Sequence, residues 1–198
     1  MSDRAGVVAT VALLLCCAAA LPRPVGAAAG QTASGELEVF KAWLDREHPG
    51  YGCDEGPARF RNETVEAVYA GSRFYYVLTH ARGIQPPFPN ALSLVARVDE
   101  SGDVRPLNPY SPESYRPGLK KVKGADEARR TAAAILILAM GDPGERRWRF
   151  RADQITAHKS RKGWVCTYQH GDESHTSQVA FGRDGVLTAI ACNPPPVP

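Results

Sequence analysis

The sequence predicts an α+β protein made of two tandem units, each a helix followed by an antiparallel sheet. Three observations carry this reading. A segment beginning at Arg59 recurs ninety residues later. A stretch with helical apolar spacing precedes each copy, and alternating apolar runs broken by Gly-containing turns follow each copy.

The repeat pairs Arg59-Phe60-Arg61-Asn62-Glu63-Thr64-Val65-Glu66-Ala67 with Arg149-Phe150-Arg151-Ala152-Asp153-Gln154-Ile155-Thr156-Ala157. Without a gap, the same register sets Phe74 against Trp164 and His80 against His170, and 5 of 22 aligned positions are identical. The first helix is expected over Glu36 to Glu47, with Leu37, Phe40, Trp43 and Leu44 on one face and Pro49-Gly50 as its stop. The second runs from Asp126, read as its N-cap, to Met140, with Gly141 ending it. From Ala132 to Met140 it is apolar nearly all round, which predicts burial on more than one side, either between the two sheets or against its sister helix.

Strands follow in each unit. Leu92, Leu94, Ala96 and Val98 alternate into Ser101-Gly102, with a short strand after it at Val104. Val179 and Phe181 alternate in the second copy, and Asp184-Gly185 turns the chain into Val186 to Ala191. The resulting division is a signal peptide over 1–29, a first unit over 30–107, a Pro-rich linker over 108–123, a second unit over 124–193 and a Pro-rich tail over 194–198. The linker is expected to be stiff because of its prolines. Trp164 and Phe74 are expected in equivalent core positions, since each opens a strand whose alternate residues are large and apolar. Trp164→Ala would then cost ~3–5 kcal/mol, and Phe74→Ala would also lower the denaturation midpoint.

The amino terminus sets the compartment. Arg4, the uncharged stretch Val7 to Leu21 and the small residues Val25-Gly26-Ala27-Ala28-Ala29-Gly30 have the three parts of a secretory signal. Fifteen uncharged residues fall short of the ~20 that span a bilayer. The mature chain is expected to begin between Ala28 and Gly30 and to be secreted or periplasmic. It then carries 22 basic and 20 acidic residues, a balance that gives no nucleic-acid footprint. The basic runs Lys120-Lys121-Val122-Lys123 and Lys159-Ser160-Arg161-Lys162 are read as solvated turns.

Helix-then-sheet in duplicate resembles the cystatin-like and PepSY-like modules, in which one helix lies across a curled antiparallel sheet. Two in tandem is similar to the arrangement of latexin-type carboxypeptidase inhibitors. The resemblance implies a binding fold rather than a catalytic one. Cystatins carry a Q-x-V-x-G inhibitory loop. Gln178-Val179-Ala180-Phe181-Gly182 departs from it at Ala180 and falls in the third strand after the helix.

For chemistry, the densest group of potential ligands is His170-Gly171-Asp172-Glu173-Ser174-His175. His170, Asp172 and His175 are the residues that would hold a divalent ion there. We expect no metal, because a hairpin tip open to water is a poor basis for a tight site, and no cofactor. Cys166 shares a strand face with Trp164 and Tyr168 and is expected to be a buried, inert thiol. If the three mature cysteines form a bridge, Cys53 and Cys192 are the pair. Asn62-Glu63-Thr64 is a glycosylation sequon, meaningful only in a eukaryotic secretory pathway. Together these features predict a secreted, non-enzymatic binding module for an unknown protein or peptide, with protease modulation as one form of it. Two other readings stay open: a metal-dependent extracytoplasmic enzyme using the 170–175 hairpin, and a structural envelope protein.

Overall fold

The computed structural model describes residues 33–49, 51–53, 56–81, 92–99, 101–141, 150–171 and 175–192. The expected signal peptide and Pro-rich tail, with Asp172 to Ser174, lie outside them. Helix α1 (Ala33–Glu47) is followed by β1 (Tyr51–Cys53), β2 (Ala58–Arg59), α2 (Glu63–Val68), β3 (Arg73–Ala81), β4 (Leu92–Val98) and β5 (Val104–Pro106). After α3 (Pro112–Tyr115) come α4 (Ala125–Met140), a 3₁₀ turn (Ala152–Gln154) and β6 (Thr156–Ser160), β7 (Gly163–Gln169), β8 (Thr176–Gly182) and β9 (Leu187–Ala191). Two antiparallel sheets result, ordered β1-β3-β4-β5, with β2 also paired to β3, and β6-β7-β8-β9. The protein is α+β, helix then sheet, twice.

Helix α1 buries Phe40 and Leu44 against Tyr75, Val77, Ala96 and Val98 on one face of the first sheet. A polar clasp fixes its first turn. The buried Glu36 carboxylate accepts a hydrogen bond from the Tyr75 hydroxyl at 2.8 Å and pairs with Arg73. The opposite face of the same sheet, through Phe74, Tyr76 and Val95, joins the main core. Both faces of the first sheet are therefore covered.

Helix α4 lies in the middle of that core. Ala128 and every residue from Thr131 to Leu138 are buried, with α2 and β4 on one side and the second sheet on the other. Of the two expected placements, between the sheets or against the sister helix, the first is the one found. Its N-cap differs: Gly124 takes that position and Asp126 falls in the first turn. There Asp126 pairs with Arg129 at 2.9 Å, while Glu127 accepts from the Lys123 amide at 2.8 Å, so both carboxylates still oppose the helix dipole. Gly141 ends the helix in the left-handed region, φ 62°.

The ninety-residue register places Phe60 with Phe150 and Val65 with Ile155, all four buried in the main core. Local structure nonetheless diverges between the copies. In the first, Asn62 caps α2, its Oδ1 accepting from the amides of Thr64 and Val65 at 3.0 and 3.2 Å. In the second, Ala152 replaces Asn62, no side-chain cap forms at the 3₁₀ turn, and the chain extends into β6 instead. Phe74 and Trp164 also differ, for Phe74 is buried whereas Trp164 is half-buried at the margin of the core, with Lys159 Nζ 5.5 Å from its ring centre. The two positions are therefore not equivalent in burial, and the cost of Trp164→Ala falls below the ~3–5 kcal/mol of a full core truncation.

The Pro-rich 108–123 stretch is a strap rather than a spacer. Tyr115 and Val122 are buried in the main core. The Tyr115 carbonyl accepts from the Tyr69 hydroxyl at 3.1 Å and the Pro117 carbonyl from Arg97 at 2.8 Å, which ties the strap to the first unit. Arg116 Nε donates to the Leu187 carbonyl at 2.9 Å and the Val122 amide to the Gly185 carbonyl at 3.0 Å, which ties it to the second.

Candidate functional site

The second sheet has one committed face and one open face. Alternation along its strands turns Cys166, Val179, Phe181, Leu187 and Ile190 inward against α4. The intervening residues point the other way and line up across the strands. One row is His158, Val165, Ala180, Ala189; the other is Thr156, Thr167, Gln178, Ala191. Each of these eight is exposed or half-buried, and none carries a fixed charge. Short side chains leave this face flat and its backbone close to solvent.

The β7–β8 hairpin forms one end of the sheet and contains the proposed ligand cluster. The His170 amide donates to the His175 carbonyl at 2.9 Å, closing the hairpin. The His170 ring is buried, its Nε2 2.7 Å from Ser177 Oγ, with Phe150 and Tyr168 edge-on at 5.8 and 4.9 Å between centroids. The alternation from Trp164 through Cys166 and Tyr168 carries His170 to the inner face, which sequence reasoning did not follow past Tyr168. His175 is half-buried. Among the described residues no three His, Cys, Asp or Glu side chains converge as a metal site would require.

The thiols are embedded. Cys166 is buried and free, and burial pushes its thiol up to about 11. Cys192 is a free thiol packed at the core margin, and burial pushes it up to about 11 as well. The Cys53 side chain, the expected partner of Cys192 in a bridge, lies outside those described. The neutral thiol is the form the fold prefers at both positions. Their contribution to stability is thus complete below the unfolded-thiol value of about 8.5 and is lost as pH rises through about 11. The Tyr75 hydroxyl follows the same sign, pushed up to about 12 by burial and by the Glu36 carboxylate. The denaturation midpoint should stay level from neutral pH to about 9 and then fall steadily toward 12. At neutral pH, peptide mapping after treatment with an aromatic disulfide reagent should find Cys166 and Cys192 unlabelled until denaturant is added. Rapid labelling of either in the folded protein would contradict their embedding.

Gln178 to Gly182 lie within β8, with Val179 and Phe181 in the core and Gln178 and Ala180 on the open face. No helix among the described residues is long and apolar enough to cross a membrane. The chain matches no family model, no curated protein and no solved structure.

Proposed function

We propose that this chain is a secreted, non-enzymatic binding module for a protein or peptide, with the open face of the second sheet as its working surface. The observation that supports this most is the contrast between the sheets. The first is covered on both faces, whereas the second presents eight aligned, uncharged positions to solvent. A flat face on a rigid support can take a partner by surface complementarity and hydrogen bonding, and needs no catalytic group. The support is rigid because α4 fixes the sheet from behind.

The test uses Gln178→Glu with Ala189→Glu, two exposed positions on separate strands of that face. Surface changes of this kind shift stability by no more than about 0.5 kcal/mol. Affinity capture from the secreted or envelope fraction should recover a partner in stoichiometric amount with the wild type and lose it with the double variant. Capture that survives both substitutions would remove the open face as the working surface. Stoichiometric bound metal together with turnover would replace the binding reading by the enzymatic one.

A further inference from the structure

The two basic runs are 36 residues apart in sequence, from Lys123 to Lys159, and the fold brings them together. The β6–β7 and β8–β9 turns lie at the same end of the meander, opposite the β7–β8 hairpin. Arg183 Nε, in the β8–β9 turn, donates to the Arg161 carbonyl in the β6–β7 turn. The strap then docks on that second turn through the Val122 amide and the Gly185 carbonyl, 3.0 Å apart. Lys121 and Lys123 flank the docking residue.

Lys120, Lys121, Lys123, Lys159, Arg161, Lys162 and Arg183 are all exposed. None of them forms an ion pair with a described carboxylate; elsewhere Lys41, Arg46, Arg59, Arg73, Arg105, Arg116, Arg129 and Arg151 do, while Arg61, Arg97 and Arg130, scattered over other elements, do not. The carboxylates nearest in the chain are turned to other partners: Asp126 pairs with Arg129, Glu127 accepts from the Lys123 amide and Asp184 from the Val186 amide. This end of the sheet thus holds seven exposed cations against the carboxylates of Asp184 and Glu127, a local excess of positive charge in a chain whose net charge is only +3. The open face runs into these turns: its next row after His158, Val165 and Ala180 is Ser160, Gly163 and Gly182, which lead directly to Arg161, Lys162 and Arg183. Lys159 lies on the other side of β6, over Trp164.

We propose that this end of the second sheet is a docking face for an acidic segment of a partner protein. The inference rests on the binding-module reading and names the partner's chemistry. Charge complementarity selects an anionic partner and speeds its encounter. The uncharged sheet face beside the cations favours a protein over a polyelectrolyte or a lipid surface, because it offers contact area that a bare polyanion has no means to use.

Fluorescence anisotropy with a labelled glutamate decapeptide tests this, with a sulfated oligosaccharide, duplex DNA and vesicles of anionic phospholipid as comparison probes. The decapeptide should bind the mature wild-type protein at low ionic strength and be released by salt. Lys121→Glu with Lys123→Glu, and separately Arg161→Glu with Lys162→Glu, should each weaken it at least about tenfold, because both runs belong to one face. Gly185→Ala should weaken it without removing any charge, since the new Cβ would stand 2.2 Å from the Val122 carbonyl oxygen and push the strap from the turn. Arg151→Glu, at a cation already paired with Asp153, should leave binding unchanged and control for charge reversal away from this face. Tighter binding to the oligosaccharide, DNA or vesicles than to the decapeptide, or equal loss with Arg151→Glu, would overturn the proposal. A captured partner that depends on Gln178 and Ala189 but is indifferent to both charge reversals would overturn it too, while leaving the binding-module reading intact.

Discussion

Leu136→Ala should destabilise both halves of the chain together. Leu136 is wholly buried in α4, in a cluster that also contains Phe60, Val65, Phe74 and Val95 from the first unit, Tyr115 and Val122 from the strap, and Val179, Phe181 and Leu187 from the second sheet. Removing its isobutyl group leaves a cavity bordered by rigid elements and costs about 2–5 kcal/mol, much of the roughly 5–15 kcal/mol that holds a domain folded. Two tryptophans report on the outcome. Trp43 packs in the separate cluster behind the first sheet, and Trp164 lies on the second sheet. With Trp148 replaced throughout, variants keeping either Trp43 or Trp164 should melt at one midpoint, and Leu136→Ala should lower both midpoints equally. Separate transitions, with only the Trp164 signal shifted, would show that the units fold independently and that α4 belongs to the second alone.

Gly163→Ala should be the most damaging replacement of a glycine. Gly163 has φ 132°, and a Cβ there would stand 2.0 Å from the Phe181 carbonyl oxygen and 2.5 Å from the Gly182 carbonyl carbon. These are backbone atoms of the neighbouring strand and have no rotamer by which to move away. Gly163 also pairs with both Ser160 and Gly182, so a shift there propagates into three strands. The expected loss is about 3 kcal/mol or more. Gly102→Ala is the fitting control, because Gly102 has φ 84° but open space around its would-be Cβ. That change should cost only about 1 kcal/mol. Equal denaturant midpoints for the two variants would show that the strands do not approach this closely.

Elements whose cause is local were legible in the sequence. The apolar spacing of Leu37, Phe40, Trp43 and Leu44 marks α1, the uniformly apolar Ala132 to Met140 marks a helix buried on all sides, and Gly141 and the Asp184-Gly185 turn stand where the backbone needs them. A further local signal went unread. Phe74-Tyr75-Tyr76-Val77 is apolar without a break, as a strand covered on both faces must be. Trp164-Val165-Cys166-Thr167 admits a polar residue on one side, in keeping with a sheet open on that side. Asp126 as N-cap failed for a physical reason of the same scale: Gly124 supplies the extended backbone, and the Glu127 carboxylate reaches back to the Lys123 amide, so no capping side chain is required at that position.

By itself the sequence determined the α+β class, the two helix-then-sheet units and the burial of α4 on more than one side, because periodicity and turn chemistry act over a few residues. Tertiary structure alone decided the rest. It drew the strap from Leu107 to Val122 into the core, since the prolines stiffen a chain without saying what its intervening Tyr115 and Val122 will meet. It set Phe150, twenty residues away in the chain, edge-on to the His170 ring that strand alternation had turned inward. It also joined two lysine-rich runs, through one hydrogen bond at Gly185 and one at Arg161, into a single cationic end. Contacts between residues far apart in the chain are set by how the layers stack, and no local pattern encodes that stacking.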